Sequence, residues 1–147
     1  MEEIITYSPA QTEEFAARFA KNLKGGEIIA FRGDMGMGKT CFTRGLAKGL
    51  GFDGQVCSPT FALVNEYVGG RLAIYHFDMF RIDSWEDLYS SGWFDYIDAG
   101  GVTVAEWSEN IEGALPDNAL IIEIIRIDDT TRKIVVRNGA QDENISY

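Results

Sequence analysis

Residues 27–40 read EIIAFRGDMGMGKT, an apolar run that leads directly into a glycine-rich loop. Glu27 to Phe31 is short, apolar and rich in β-branched residues, the pattern of a buried strand. Residues 33–40, G-D-M-G-M-G-K-T, fill every fixed position of G-x-x-x-x-G-K-[ST]. A chance match to so short a pattern is common where context is ignored. Here a strand precedes the loop and a helix is expected after it, from about Lys39 to Leu50 with a stop at Gly51. That is the context the pattern requires.

Each position in the loop has a physical task. Gly33, Gly36 and Gly38 let the backbone come close to an anion. The N–H groups of the loop, through Asp34, Met35 and Met37, then converge on phosphate, helped by the positive end of the following helix. Lys39 supplies a cation for the outer phosphates. Thr40 offers a hydroxyl to Mg²⁺, which prefers hard oxygen ligands. The expected ligand is a nucleoside triphosphate, Mg·ATP.

Such a site also needs an acid at the end of a neighbouring strand. Two are available. Asp78 closes LAIYHF and Glu106 closes VTVA, and either can hold Mg²⁺ or its waters, or orient the attacking water. Trp107 follows Glu106 and is read as a packing residue, with contact to nucleotide or partner as the alternative. His76, the one histidine, falls inside a strand and is read as packed or hydrogen-bonded. Thr60, after Ser58-Pro59, is placed either in an ordinary turn or in a loop that senses the γ-phosphate.

Around this centre the chain alternates helices and strands. Ser8, Pro9 and Gln11 predict a capped helix from Pro9 to Asn22, with Phe15, Phe19 and Leu23 inward and Gly25-Gly26 as its end. Thr60–Tyr67 and Leu72–Phe77 predict a hairpin across Gly69-Gly70. Ser84 is expected to cap a short helix through Ser90 with Trp85 and Leu88 inward. Val102–Glu106 reads as a buried strand, and Leu120–Ile127 with Lys133–Arg137 as a closing hairpin. The sum is one α/β domain over residues 1–147. It is three-layered, with a mixed, mainly parallel sheet and antiparallel strands at the edge.

Composition narrows the partners. The chain of 147 residues carries 13 basic and 23 acidic residues, a formal net charge of -10. An acidic chain without a basic cluster is a poor match to nucleic-acid phosphates, so a role in a nucleic-acid pathway would run through a protein partner. No apolar run is long enough to span a bilayer. The acidic start MEEIITYSPA is unlike a secretory signal. Cys41 and Cys57 form no C-x-x-C pair and are expected as free thiols. A cytoplasmic protein with no membrane contact is expected.

Four motifs in order, G-D-M-G-M-G-K-T, S-P-T-F-A-L-V-N-E-Y (58–67), H-F-D-M-F-R (76–81) and A-E-W (105–107), give the chain a resemblance to the TsaE (YjeE) family. These are small bacterial P-loop ATPases of tRNA threonylcarbamoyladenosine synthesis. The resemblance implies a three-layer α/β ATPase using ATP and Mg²⁺. It implies that Lys39 binds phosphate, Thr40 and Glu106 hold Mg²⁺, Asp78 serves hydrolysis, and Thr60 lies in a switch-like loop. Trp107 corresponds to the tryptophan after the Mg²⁺ ligand. Cys41 replaces a common second Thr, and a thiol is a weak donor toward the α-phosphate. Arg132 corresponds to a basic residue near the nucleotide, and Ser8 and Thr12 to the adenine side. The implied partner is the TsaB–TsaD complex, with tRNA met through it. The implied ATPase supports threonylcarbamoyl transfer without performing it.

A small-molecule kinase, with Asp78 and Arg81 holding an acceptor, uses the same loop. The lack of an Arg-rich lid argues against it. A nucleotide-gated binding module with negligible turnover is a third reading. No N-K-x-D sequence supports guanine recognition.

Overall fold

The computed structural model describes residues 2–33, 37–57 and 63–139. At its centre is β2 (Ile28–Arg32), whose first four residues are all buried. A strand with no solvent-facing side reads as a continuous apolar run, and one bordered by parallel neighbours needs cover on both faces. β2 pairs in parallel with β5 (Val102–Glu106) on one side and with β6 (Leu120–Arg126) on the other.

The full sheet has seven strands in the order β1-β7-β6-β2-β5-β4-β3. β4 (Ile74–Asp78) joins β5 in parallel, and β3 (Val64–Tyr67) joins β4 antiparallel at one edge. β7 (Arg132–Asn138) folds back on β6, and β1 (Glu2–Thr6) adds antiparallel to β7 at the other edge. The expected mixed sheet, parallel at its centre and antiparallel at its edges, is therefore present.

Alternation along the strands sends side chains to two cores. Ile29, Phe31, Val104 and Ile122 face α1 (Pro9–Ala20) and α2 (Met37–Gly49), where they meet Phe15, Phe42 and Leu46. Ile28, Phe77 and Ala105 face the other way, toward Leu88 of α3 (Trp85–Ser90), Trp93 of α4 (Trp93–Tyr96) and Ile111 of a 3₁₀ segment (Ser108–Ala114). The layers are helix, sheet and helix.

α1 starts as its sequence dictates. Ser8 Oγ accepts from the Gln11 N–H at 3.1 Å, with Pro9 in the first turn. Gln11 reaches back one residue further than the usual box and accepts from the Tyr7 N–H at 2.8 Å. α1 and α2 then press together backbone to backbone. A Cβ added at Gly45 would lie 2.4 Å from the Glu13 carbonyl oxygen, and one at Gly49 would lie 2.4 Å from that of Ala17.

Several expectations need correction. α1 ends at Ala20, so Gly25-Gly26 shape the turn into β2 and do not stop the helix. α2 begins at Met37, two residues before Lys39. Trp85 is 56% exposed, because so short a helix has one inward position and Leu88 fills it. β1, α4 and the 3₁₀ segment are additions to the sequence reading. Residues 60–62 of the expected strand Thr60–Tyr67 lie outside the described residues.

Gly45→Ala should lower the urea midpoint by the equivalent of about 1–3 kcal/mol through overpacking, with an unchanged slope. An unchanged midpoint would mean that the helices separate without cost.

Candidate functional site

Parallel pairing brings the carboxyl ends of β2, β5 and β4 to one edge of the sheet. This is where open α/β sheets hold their ligands. Four chain segments meet there: Gly33 after β2, the start of α2, Glu106-Trp107 after β5 and Asp78 at the end of β4.

The loop is shaped by close contact with the sheet. Gly33 has φ +109°, and a Cβ on it would lie 2.6 Å from the Ile124 carbonyl oxygen of β6. Gly38 is nearly as tight, with 3.0 Å to Ile124 Cγ2. Asp34, Met35 and Gly36 lie outside the described residues, as does Thr60. Met37 and Gly38 form the first turn of α2, whose leading N–H groups have no carbonyl partner within the helix and carry its positive end.

Lys39 is 3% exposed. Its Nζ lies 5.6 Å from the centre of the Trp107 ring, and among the described residues it enters no ion pair. A buried ammonium is costly unless an anion meets it. Trp107 has left-handed backbone angles (φ 59°, ψ 40°), unique among described residues other than glycine. That uncommon conformation carries its ring over Lys39 and against Phe80, 4.9 Å between ring centres. The Ser108 hydroxyl donates to the Phe31 carbonyl at 2.8 Å, fastening the segment after Trp107 to the end of β2.

Asp78 and Glu106 stand directly opposite each other on β4 and β5. Asp78 Oδ1 accepts from the Phe80 N–H at 3.0 Å, which fixes its carboxylate at the strand's end. Glu106 is 9% exposed, and its Oε2 lies 2.5 Å from His76 Nε2. Behind it His76, 0% exposed, meets the Tyr67 hydroxyl through Nδ1 at 3.1 Å. Tyr67 donates its one hydroxyl proton to the Cys57 carbonyl at 2.8 Å, so its oxygen accepts from Nδ1. Burial pushes the Tyr67 hydroxyl above its ordinary pKa, which keeps it a donor.

The remaining candidates gather at the neighbouring corner. Cys41 Sγ donates to the Pro9 carbonyl at 3.2 Å, joining the starts of α2 and α1. Thr12 is buried with its hydroxyl 2.7 Å from that of Thr6. Thr6 pairs in register with Arg132, whose Nη1 donates to the Asp128 carbonyl at 2.7 Å. Ser8 is committed to capping α1, and Thr40 lies half-buried in the first turn of α2.

The donors suit a small hard cation beside an anion: a threonine hydroxyl and two carboxylates. Among the described residues no group of three or more His, Cys, Asp or Glu gathers to hold a metal alone. Mg²⁺ typically takes one or two carboxylates and completes its shell with phosphate and water, so the residues present fit it. A rival concavity of about 650 Å³ lies at the far end of α2, lined by Arg44, Lys48, Phe52 and Asp53. Arg44 and Lys48 are both turned toward Glu13, at 3.8 and 3.4 Å, so it offers an anion little.

The sequence reading treated His76 as a hydrogen-bonded structural residue, and so it is. It missed that the partner is Glu106 and that Tyr67 stands behind. Strand periodicity held a signal: His76 and Asp78 share one face of β4, so in a parallel ladder His76 lies diagonal to Glu106.

These features define an α/β protein with a G-x-x-x-x-G-K-T sequence between β2 and α2, at the carboxyl edge of the parallel centre of a mixed sheet. The model of the family "Threonylcarbamoyl adenosine biosynthesis protein TsaE" matches residues 6–134, and the chain belongs to that family. The tRNA threonylcarbamoyladenosine biosynthesis protein TsaE of Bacillus subtilis (strain 168) is 42% identical over 130 residues, covering 88% of this chain and 80% of the relative. That of Haemophilus influenzae is 36% identical over 153 residues, covering 99% and 96%. The crystal structure of Bacillus subtilis YdiB superposes with a TM-score of 0.75 and 33% identity, over 97% of this chain and 89% of that one. No helix among the described residues is long and apolar enough to cross a membrane.

Burial also pushes the Cys41 thiol up, seconded by the Glu13 charge. At pH 8 iodoacetamide should therefore modify the exposed Cys57 first, and Cys41 only on unfolding. Equal rates by peptide mass spectrometry would show that α2 opens at its start.

Proposed function

We propose that this chain binds Mg·ATP on the Gly33–Thr40 loop and hydrolyses it in support of the threonylcarbamoyl modification of tRNA adenosine-37. It acts on a TsaB–TsaD transfer complex and does not transfer the group itself. The observation that carries the nucleotide reading is Lys39, a buried ammonium at the head of α2 that no carboxylate among the described residues neutralises. A triphosphate supplies an anion for it. Membership of the TsaE family supports the tRNA pathway.

The residues divide the work. Gly33 and Gly38 leave room for phosphate, the leading N–H groups of α2 receive it, and Lys39 stabilises charge on its outer oxygens. Thr40 and Glu106 hold the Mg²⁺, which when bound neutralises developing phosphate charge. Asp78, across from Glu106, orients water. Trp107 packs its ring beside the Lys39 ammonium. The net charge of -10 favours meeting tRNA through the protein partner.

Lys39→Ala should weaken ATP binding by calorimetry by about 1.5–3 kcal/mol, the worth of a hydrogen bond to a charged group. Glu106→Ala should reduce turnover more than it reduces ATP affinity. Full turnover in that variant would remove Glu106 from the Mg²⁺ site. Immobilised wild-type chain should retain purified TsaB–TsaD with ATP and release it without. Retention indifferent to nucleotide would overturn the proposed coupling.

A further inference from the structure

One buried polar row crosses a largely apolar face. It runs from the Cys57 carbonyl through Tyr67 on β3 and His76 on β4 to Glu106 on β5, with contacts of 2.8, 3.1 and 2.5 Å. The register sets it: Asn65 pairs with His76, and His76 with Val104, so side chains two residues along each neighbour fall on the same face. The surroundings are the core of α1, α2 and the sheet. Tyr67 belongs to that core, and its ring centre lies 5.3 Å from that of Phe52 and 5.9 Å from that of His76.

A leucine at position 76 would fill this space without any polar group to satisfy. An imidazole there is costly unless both nitrogens are matched, and both are. Both matches are directional. Tyr67 fixes the ring from behind, itself anchored on a backbone carbonyl that also accepts from Asn65 Nδ2 at 3.1 Å. The ring then fixes one carboxylate oxygen. A glutamate has three rotatable bonds, and an unbraced one spreads over several rotamers.

We propose that His76, braced by Tyr67, is a positioning residue that sets the Glu106 carboxylate for the divalent cation of the bound nucleotide. This rests on the reading of Glu106 as a cation ligand. Outer partners of metal-binding carboxylates are typically worth about 10–100-fold in metal affinity or activity.

The test uses the full chain saturated with a non-hydrolysable ATP analogue and titrated with Mn²⁺, the free ion being read by electron paramagnetic resonance. Affinity for the analogue in EDTA is measured beside it. His76→Leu should weaken Mn²⁺ binding about tenfold or more and leave the metal-free affinity for the analogue unchanged. His76→Gln, whose amide nitrogen reaches the place of Nε2, should restore most of the loss. Tyr67→Phe, which keeps the ring and removes the hydroxyl, should fall between wild type and His76→Leu. In turnover the same variants should raise the Mg²⁺ concentration needed for half-maximal rate.

Normal Mn²⁺ affinity in folded His76→Leu, or His76→Gln as defective as His76→Leu, overturns the positioning role. If His76→Leu fails to fold in a thermal melt, Tyr67→Phe decides, and no loss of Mn²⁺ affinity there overturns it. Glu106→Gln separates the two readings. If it binds Mn²⁺ normally, the cation assignment fails and the positioning role with it. If it loses Mn²⁺ while folded His76→Leu does not, positioning alone fails.

Discussion

Every feature of the site depends on β2 being hydrogen-bonded to a parallel strand on each side. A parallel ladder forces neighbouring strands to end at the same edge of the sheet. Lys39, Asp78 and Glu106 lie far apart in sequence, and they converge because their strands run the same way. A chain leaving β2 must also turn back over the sheet to reach its next strand. The turn is the glycine loop, and the return is α2. The Gly33 contact with Ile124 shows how little space that reversal has.

Two opposed demands are met on the face under α1 and α2. Its apolar residues hold the helices down, and the Gly45 and Gly49 contacts let the two helices lie close enough to share one core. Through the same face runs a row of buried polar groups ending at Glu106. Polar groups among hydrocarbon are tolerated only when fully partnered, and partnered groups are rigid. The edge of the sheet thus carries an acid, Glu106, held from the interior, whereas Lys39 is held beneath a tryptophan ring and faces no carboxylate among the described residues.

Much of this was legible in the sequence. VTVAE gave its strand to the residue, because three β-branched residues in a row, Val102 to Val104, favour extended backbone. Ser8-Pro9 marked the start of α1, since a cap is a local interaction among neighbours. β1 was illegible for the opposite reason. Only Thr6 of Glu2–Thr6 is buried, so no periodicity marks it, and what makes it a strand is the exposed edge of β7. Trp85 looked like a core residue by its chemistry, but α3 is too short to turn two large side chains inward. The bond between His76 and Glu106 needs the register of β4 on β5, which local composition does not encode. That Asp78 and Glu106 end neighbouring strands could be read from the chain, whereas the brace behind Glu106 also needed the register.

The pairing of β1 with β7 has a consequence for how the molecule is made. Glu2 faces Val136 and Thr6 faces Arg132, so β1, the first of the described strands in chain order, must wait for β7, the seventh. Until then β1 is unpaired, and the Thr6–Thr12 hydrogen bond that ties it to α1 has no fixed strand to anchor it. Contacts so distant along the chain close slowly because of the loop entropy they remove. The α1–α2 pair can form from contacts nearer in sequence, but the corner where Thr6, Thr12 and Arg132 meet is completed only when β7 has docked.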